Sequence, residues 1–354
     1  MSDLPASPRA ALPFMRGPQA GDAGVQLVDV HLMPVPAIQD LIAADMCAVD
    51  AVIRRRLHSE VALVREVAEY IVGSGGKRLR PALVILSAGA AGYAGAQHHE
   101  LAAVVEFIHT ATLLHDDVVD GSALRRGNAT ANALFGNAAS VLVGDFVYSR
   151  AFQMMVEVES MRVMQVLAEA TNVIAEGEVL QLMNCHNTAI NEHEYLQVIR
   201  YKTAKLFEAA TRLGAILGSA QPALEAALAT YGMHLGTAFQ LIDDVLDYSG
   251  DNSTTGKNVG DDLAEGKPTL PLIYAIKHGS AQEASLIKKA IEEGGLSELQ
   301  HVIAAIRRSG ALDYTRRQAE AEADAARMAL AIVPNSKYRD SLLQLAHFAV
   351  TRDY

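Results

Sequence analysis

Two segments of this sequence carry the residue types best suited to chemistry. Asp116, Asp117 and Asp120 form DDVVD, and Asp243, Asp244 and Asp247 form DDVLD. Each follows an apolar run, LLH before the first and FQLI before the second. Residues four apart share a helix face, so Asp116 lies with Asp120 and Asp243 with Asp247. Like charges at that spacing destabilise a helix by roughly 0.2–0.5 kcal/mol, and unpaired carboxylates at the end of an apolar helix are costly to bury. Divalent cations remove both penalties. Oxygen-only ligands favour Mg²⁺ over Zn²⁺, and Mg²⁺ held by a few carboxylates commonly fills its other positions with substrate phosphates. One DDxxD reads equally well as a solvated helix end. Two copies, each after an apolar run, point to a phosphorylated substrate.

Such a substrate needs counter-charge, and the chain as a whole does not offer it. The formal net charge is −11, which argues against general nucleic-acid binding and requires any cationic site to be local. Three cations stand in GGKRLRP: Lys77, Arg78 and Arg80, just before Pro81. A helix beginning there would present backbone N–H groups to phosphate. The segment is not a Walker loop, which would need Gly at 71 and Ser or Thr at 78, where Ile71 and Arg78 stand. Arg125 and Arg126 follow the first acidic motif by five residues and can fork onto phosphate oxygens. Lys202, Lys257 and Lys267 lie in polar or Gly-containing surroundings. Singly, each of these is more often a surface charge; with the acidic pair they form a constellation.

The elements that must position these groups are helical. Half of the 354 residues are hydrophobic, 5% are aromatic and Trp is absent, a composition for closely packed helices built from Ala, Leu, Val, Ile and Met. No proline occurs between residues 82 and 221. Leu101, Val104, Val105, Ile108 and Thr112 recur at helical spacing, and strand-like alternation is missing. Breaks are expected at 73–76, 92–95, 121–127, 187–191 and 250–268, with helices starting near Pro81 and Pro268. Six of the 11 prolines fall in the first 36 residues. Residues 1–33 are therefore expected to be a flexible tail and 34–354 one all-α domain of roughly ten or more helices. Cys47 and Cys185 stand far apart, which fits a reducing cytoplasm and argues against a structural disulfide or zinc site. Neither a secretory signal nor a transmembrane segment is expected.

The motifs GGKRLRP, LLHDDVVD followed by RRG, KTAKLFEAA, FQLIDDVLDY and GKNVGDDLAEGKPTLPL resemble the ordered signature of the trans-polyprenyl diphosphate synthases. The resemblance runs from about residue 40 to the C-terminus. ATANALFGNAASVLVGDFVYSRAFQMM and NVIAEGEVLQLMN are similar to the bacterial octaprenyl diphosphate synthases in particular. The resemblance implies the all-α isoprenoid-synthase fold, a helical bundle around a deep central cavity, in a homodimer. It implies three Mg²⁺ ions on Asp116, Asp120, Asp243 and Asp247, with Asp117 and Asp244 completing the clusters. Lys77, Arg80, His109 and Arg126 would hold isopentenyl diphosphate. Arg125, Lys202, Thr203, Gln240, Lys257 and Lys267 would grip the allylic diphosphate. From position alone, His109 reads equally as a satisfied core histidine.

The chemistry implied is metal-assisted loss of diphosphate from the allylic substrate, attack by the alkene of isopentenyl diphosphate, and proton loss. Ala111 and Thr112, five and four residues before Asp116, are small where short-chain relatives carry an aromatic floor. Ile108 follows on the same face, and Phe152, Met154 and Met155 are candidates for the floor itself, although a Met stripe is more often core filling. A long product is expected, octaprenyl by resemblance, serving quinone side chains, made in the cytoplasm with peripheral membrane contact at release. The alternatives are a geranylgeranyl-type synthase and a non-catalytic subunit of a heteromeric synthase; the latter tends to lose one Asp cluster, and both are whole here. A terpene cyclase would have no use for GGKRLRP.

Overall fold

The computed structural model of the chain describes residues 35–73, 76–125, 127–249, 259–294 and 296–352, with side chains from residue 37. The expected N-terminal tail, Arg126 and Lys257 lie outside the described residues. The described chain is a succession of helices: α1 (Val35–Arg56), α2 (Ala62–Gly73), α3 (Leu79–Ala90), α4 (Gln97–Val119), α5 (Ala131–Phe135), α6 (Asn137–Glu157), α7 (Met161–Asn184), α8 (Glu192–Ile199), α9 (Lys205–Leu217) and α10 (Pro222–Ser249). A shorter set follows: α11 (Asp261–Ala264), α12 (Leu270–His278), α13 (Ala281–Glu293), α14 (Leu299–Ser309), α15 (Ala311–Ala329) and α16 (Lys337–Thr351).

Local chemistry explains several boundaries. The Ser160 side chain accepts a hydrogen bond from the Val163 N–H at the start of α7, satisfying one of the donors a helix leaves open. Asn191 and Glu194 form a capping box at α8, and Ser280 and Glu283 form another at α13. Pro81 falls in the first turn of α3 as expected. The start expected near Pro268 comes two residues on, at Leu270, with Pro271 in the first turn, where a missing N–H costs no helical bond. The sequence showed no strand pattern, yet Leu124–Arg125 (β1) pairs antiparallel with Asn128–Ala129 (β2). Two residues per strand are too few for periodicity to register.

At the centre lies α4, where Leu101 to Val105, Phe107, Ile108, Ala111 and Leu114 are fully buried. It packs on α6 and α3, while α10 packs on α9 and α15. The α15 face carries Ala311, Thr315, Ala319, Ala323 and Ala326 at buried positions, so small side chains at four- and three-residue spacing let two helices approach closely. Separate apolar clusters lie under the second acidic motif (Tyr195, Ile199, Leu241, Ile242, Leu270 and Ala319) and among α11 to α15. The first and second motifs thus end two long apolar helices anchored in the core.

Candidate active site

Both motifs open onto one cavity of about 550 Å³. Its wall includes Asp116, Asp120, Asp243, Asp244 and Asp247, together with Lys77, Arg80, His109, Arg125, Lys202, Thr203, Gln240 and Lys267. Of the described residues that the sequence singled out for metal or diphosphate, Asp117 alone lies behind the wall rather than on it. The carboxylates supply oxygen donors without sulfur or imidazole among them, a set that fits Mg²⁺.

The first motif sits where α4 ends, with Asp120 as its C-cap. That is the negative end of the helix dipole, an unfavourable place for anions. Two lysines offset it. Lys202 Nζ lies 3.4 Å from Asp116 Oδ2 and 2.6 Å from Glu178 Oε2, and Lys267 Nζ lies 3.0 Å from Asp120 Oδ2 while also pairing with Glu265. Burial alone would depress both lysines, but the carboxylates of Asp116 and Glu178 hold Lys202 above its ordinary range, and Asp120, Asp262 and Glu265 do the same for Lys267. Burial pushes the Glu178 carboxyl up to about 7, against the attraction of Lys202 and helped by Asp116. Asp117, a third of a turn away, is fully buried. Its Oδ1 accepts from Arg125 Nε at 2.8 Å and Nη2 at 2.6 Å, a fork that fixes the guanidinium on hairpin β1–β2 at the cavity rim. Burial raises the Asp117 carboxyl, with Arg125 opposing.

The second motif is supported differently. Asp243 Oδ1 lies 2.6 Å from Arg352 Nη2. Arg352 is almost wholly buried, stacks over the Phe239 ring at 3.8 Å and donates to the Phe239 carbonyl at 2.7 Å. Asp244 accepts from the Tyr195 hydroxyl at 2.6 Å and from Gln240 Nε2 at 2.8 Å. Gln240 in turn accepts from Thr203 Oγ1 at 3.1 Å. Burial, reinforced by Asp262, pushes the Asp244 carboxyl up to about 8 despite these two donors.

Lys202 and Thr203 reach the cavity from an unusual backbone. Residues Arg200–Ala204 form a π turn between α8 and α9, a feature that inserts one extra residue into helical winding. Two glycines let neighbouring helices close on it. A Cβ at Gly177 of α7 would stand 2.6 Å from the Lys202 nitrogen, and one at Gly236 of α10 would stand 2.6 Å from the Ala204 Cα. In the basic loop, Arg78 takes a left-handed conformation (φ 47°), rare for a side-chain-bearing residue. Its guanidinium turns to Glu106 at 2.7 Å. Lys77 and Arg80 line the cavity beside aromatic faces, Lys77 at 5.9 Å from the Phe239 ring and Arg80 at 4.7 Å from that of Phe207.

Of the residues proposed to govern chain length, Thr112 lines the cavity. Ala111, Ile108, Met154 and Met155 are buried in the main core, and Phe152 packs against it beside Tyr148. Sequence reasoning missed Glu178, Tyr195, Asp262 and Arg352, all of which line the same cavity. Asp262 was within reach, because GKNVGDDLAEGKP carries a further acidic pair beside the lysines. Arg352 had no local signal, being 109 positions from its partner.

Comparison with known proteins agrees with this geometry. The chain matches the polyprenyl synthetase family over residues 61–307. It is 55% identical over 322 residues to the octaprenyl diphosphate synthase of Escherichia coli (strain K12), covering 91% of this chain and 100% of that one. It is 47% identical over 312 residues to an all-trans-nonaprenyl-diphosphate synthase (geranyl-diphosphate specific) of Rhodobacter capsulatus, covering 88% and 96% of the two chains. The fold superposes with a TM-score of 0.88 on the crystal structure of a polyprenyl synthase from Caulobacter crescentus CB15 complexed with calcium and isoprenyl diphosphate, at 48% identity over 91% of this chain and 98% of that one. Paired acidic motifs on one cavity wall, an all-helical isoprenoid-synthase fold and these relatives together mean that the chain belongs to the polyprenyl synthetase family, a family of magnesium-dependent prenyltransferases.

Proposed function

We propose that this enzyme extends an allylic diphosphate, farnesyl diphosphate in the first instance, with isopentenyl diphosphate to octaprenyl diphosphate for quinone side chains. The observation that carries the reading is the meeting of both carboxylate motifs with Lys202, Lys267 and Arg125 on one cavity wall. Asp116, Asp120, Asp243 and Asp247 would hold three Mg²⁺ ions, which supply charge neutralisation for the departing diphosphate. Lys202, Lys267 and Arg125 hold that diphosphate in place, a role the resemblance extends to Lys257. Lys77, Arg80, His109 and Arg126 orient isopentenyl diphosphate so that its alkene faces the carbon losing the C–O bond. The C–O bond breaks first, its electron pair leaving with the diphosphate; the alkene then attacks the allylic cation to form the new C–C bond, and the proton released to make the new double bond passes to the departing diphosphate. The apolar wall below keeps water from the cation.

Asp117 and Asp244 take a different part from the one their place in the motifs suggests. Asp117 positions Arg125, and Asp244 positions Gln240. Product length in this reading depends on Ala111 and Thr112 staying small, while the core layer of Ile108, Phe152, Met154 and Met155 parts to admit the chain. Methionine suits such repacking. The 55% identity to an octaprenyl diphosphate synthase supports the octaprenyl length. We place the chain in a homodimer, a reading that exposed apolar residues such as Leu142 of α6 and Leu182 and Met183 of α7 leave room for. We place the enzyme in the cytoplasm, touching the membrane only to release product. Both cysteines are free, and no helix of the described residues is long and apolar enough to cross a membrane.

The test is an assay of the purified chain with labelled isopentenyl diphosphate, farnesyl diphosphate and Mg²⁺, followed by sizing of the dephosphorylated products. An octaprenyl band that shortens sharply in Ala111→Tyr supports the reading. An unchanged ladder in that variant removes the tunnel placement, and absence of any elongation removes the substrate assignment.

A further inference from the structure

We propose that Asp45, His98 and His99 form a binding site for one divalent transition-metal ion of the zinc class, which staples α1 to the start of α4. Asp45 lies on α1, and the two histidines lie in the first turn of α4. Neighbouring residues on a helix normally diverge rather than face one another. Here both rings turn the same way, with centroids 4.0 Å apart. Their Nε2 atoms converge on a single oxygen, Asp45 Oδ1, at 3.1 Å for His98 and 2.8 Å for His99. The three ligand atoms lie within 4.8 Å of one another. Bonds of about 2.0–2.1 Å in a tetrahedron set ligand atoms roughly 3.3 Å apart, so an ion fits after movements of tenths of an ångström at two contacts.

The ligand chemistry separates this site from the acidic motifs. Two imidazole nitrogens and one carboxylate suit Zn²⁺, Co²⁺, Ni²⁺ or Cu²⁺ rather than Mg²⁺. The cysteine count argued against a zinc site, but these ligands are not cysteines. None of the three residues lines the substrate cavity. His99 stands 17 positions before Asp116, about 26 Å along the helix at 1.5 Å per residue. Their side chains are between 12% and 29% exposed, open enough for an ion to enter and for water to complete its coordination. An ion here would reinforce the neighbouring link between α1 and α4 made by Arg55 and Arg56 with Glu100.

The same three atoms could instead be a hydrogen-bonded clamp, and one experiment separates the two. The full chain is stripped of metal, kept in millimolar Mg²⁺ to fill the acidic motifs, and titrated with Co²⁺ and then Zn²⁺. The metal reading expects one equivalent of Co²⁺ with visible d–d absorption of a nitrogen-containing site, displacement by Zn²⁺, and a rise in Tm. His98→Ala, His99→Ala and Asp45→Asn should each weaken binding by at least the roughly 10–100-fold known for outer-shell partners, while prenyl transfer in Mg²⁺ stays at the parent rate. Parent-like Co²⁺ binding in all three variants, or no Mg²⁺-resistant binding in the parent, overturns the proposal and leaves the clamp.

Discussion

The two acidic motifs differ by one letter, DDVVD against DDVLD, yet the fold treats them as different objects. The first closes a helix, and its carboxylates face cations: Lys202 toward Asp116, Lys267 toward Asp120 and the Arg125 fork on Asp117. The second lies within the last turns of α10, where Asp243 meets one arginine and Asp244 meets the neutral donors Tyr195 and Gln240. The difference teaches that a repeated motif fixes which atoms can ligate but not their charge state. That is set by what burial and neighbouring helices supply. In the first cluster burial raises Asp117 against a cation, Arg125; in the second Asp244 meets only neutral donors, and burial pushes its carboxyl up to about 8.

The comparison can be broken or sharpened in four ways. The largest effect is expected from Asp116→Ala and Asp243→Ala, each lowering condensation by about 10²–10³-fold or more while far-ultraviolet circular dichroism stays unchanged. Near-parental activity in either variant would mean that the two clusters do not share the work. Next, Tyr195→Phe removes a hydroxyl donor from Asp244. Urea unfolding should show a loss of about 1–3 kcal/mol, and turnover should fall about tenfold. A variant as stable as the parent would show that Asp244 does not depend on that bond.

A smaller, severalfold drop in turnover is expected for Gly177→Ala, because the added Cβ meets the backbone at Lys202 and must displace the π turn. The first cluster should feel it directly through Lys202 and the second only at one remove, through Thr203 and Gln240, so Mg²⁺ titration of the variant tests how separate they are. The smallest effect concerns pH. Asp244 is raised in the folded state from an ordinary 3.8 to about 8. A carboxyl raised on folding stabilises the protein fully below its unfolded pKa, and the benefit drains away as pH climbs through the folded one. Metal-free enzyme should therefore lose a few degrees of Tm between about pH 4 and 8, and Asp244→Asn should flatten that slope. Glu178, raised from 4.5 to about 7, adds to the slope in both proteins. A parallel slope in the variant would assign all of it elsewhere.

Much of the site was legible because helical spacing is periodic. Four-residue spacing put Asp116 with Asp120, and both line the cavity; the same rule leaves Asp117 off that face, where Arg125 holds it. Lys202 and Lys267 were recognisable as cations near turn residues. Arg352 and Glu178 were not, since each acquires meaning only when a distant helix delivers its partner. Pro268 marked the start of α12 to within two residues, and Pro271 took the place inside the first turn. The hairpin β1–β2 was too short to leave a pattern, although it carries Arg125 to the rim.

The π turn at Arg200–Ala204 makes this stretch intolerant of length change in a way its composition hides. Removing one residue would let α8 and α9 fuse into continuous winding, because the extra residue that the wide turn absorbs would be gone. Lys202 and Thr203, both presented to the cavity by that turn, would no longer face it together even though every remaining letter was preserved. A single lost codon there should be more damaging than most substitutions on the same segment, and any redesign of the region has to conserve its register before it considers its chemistry.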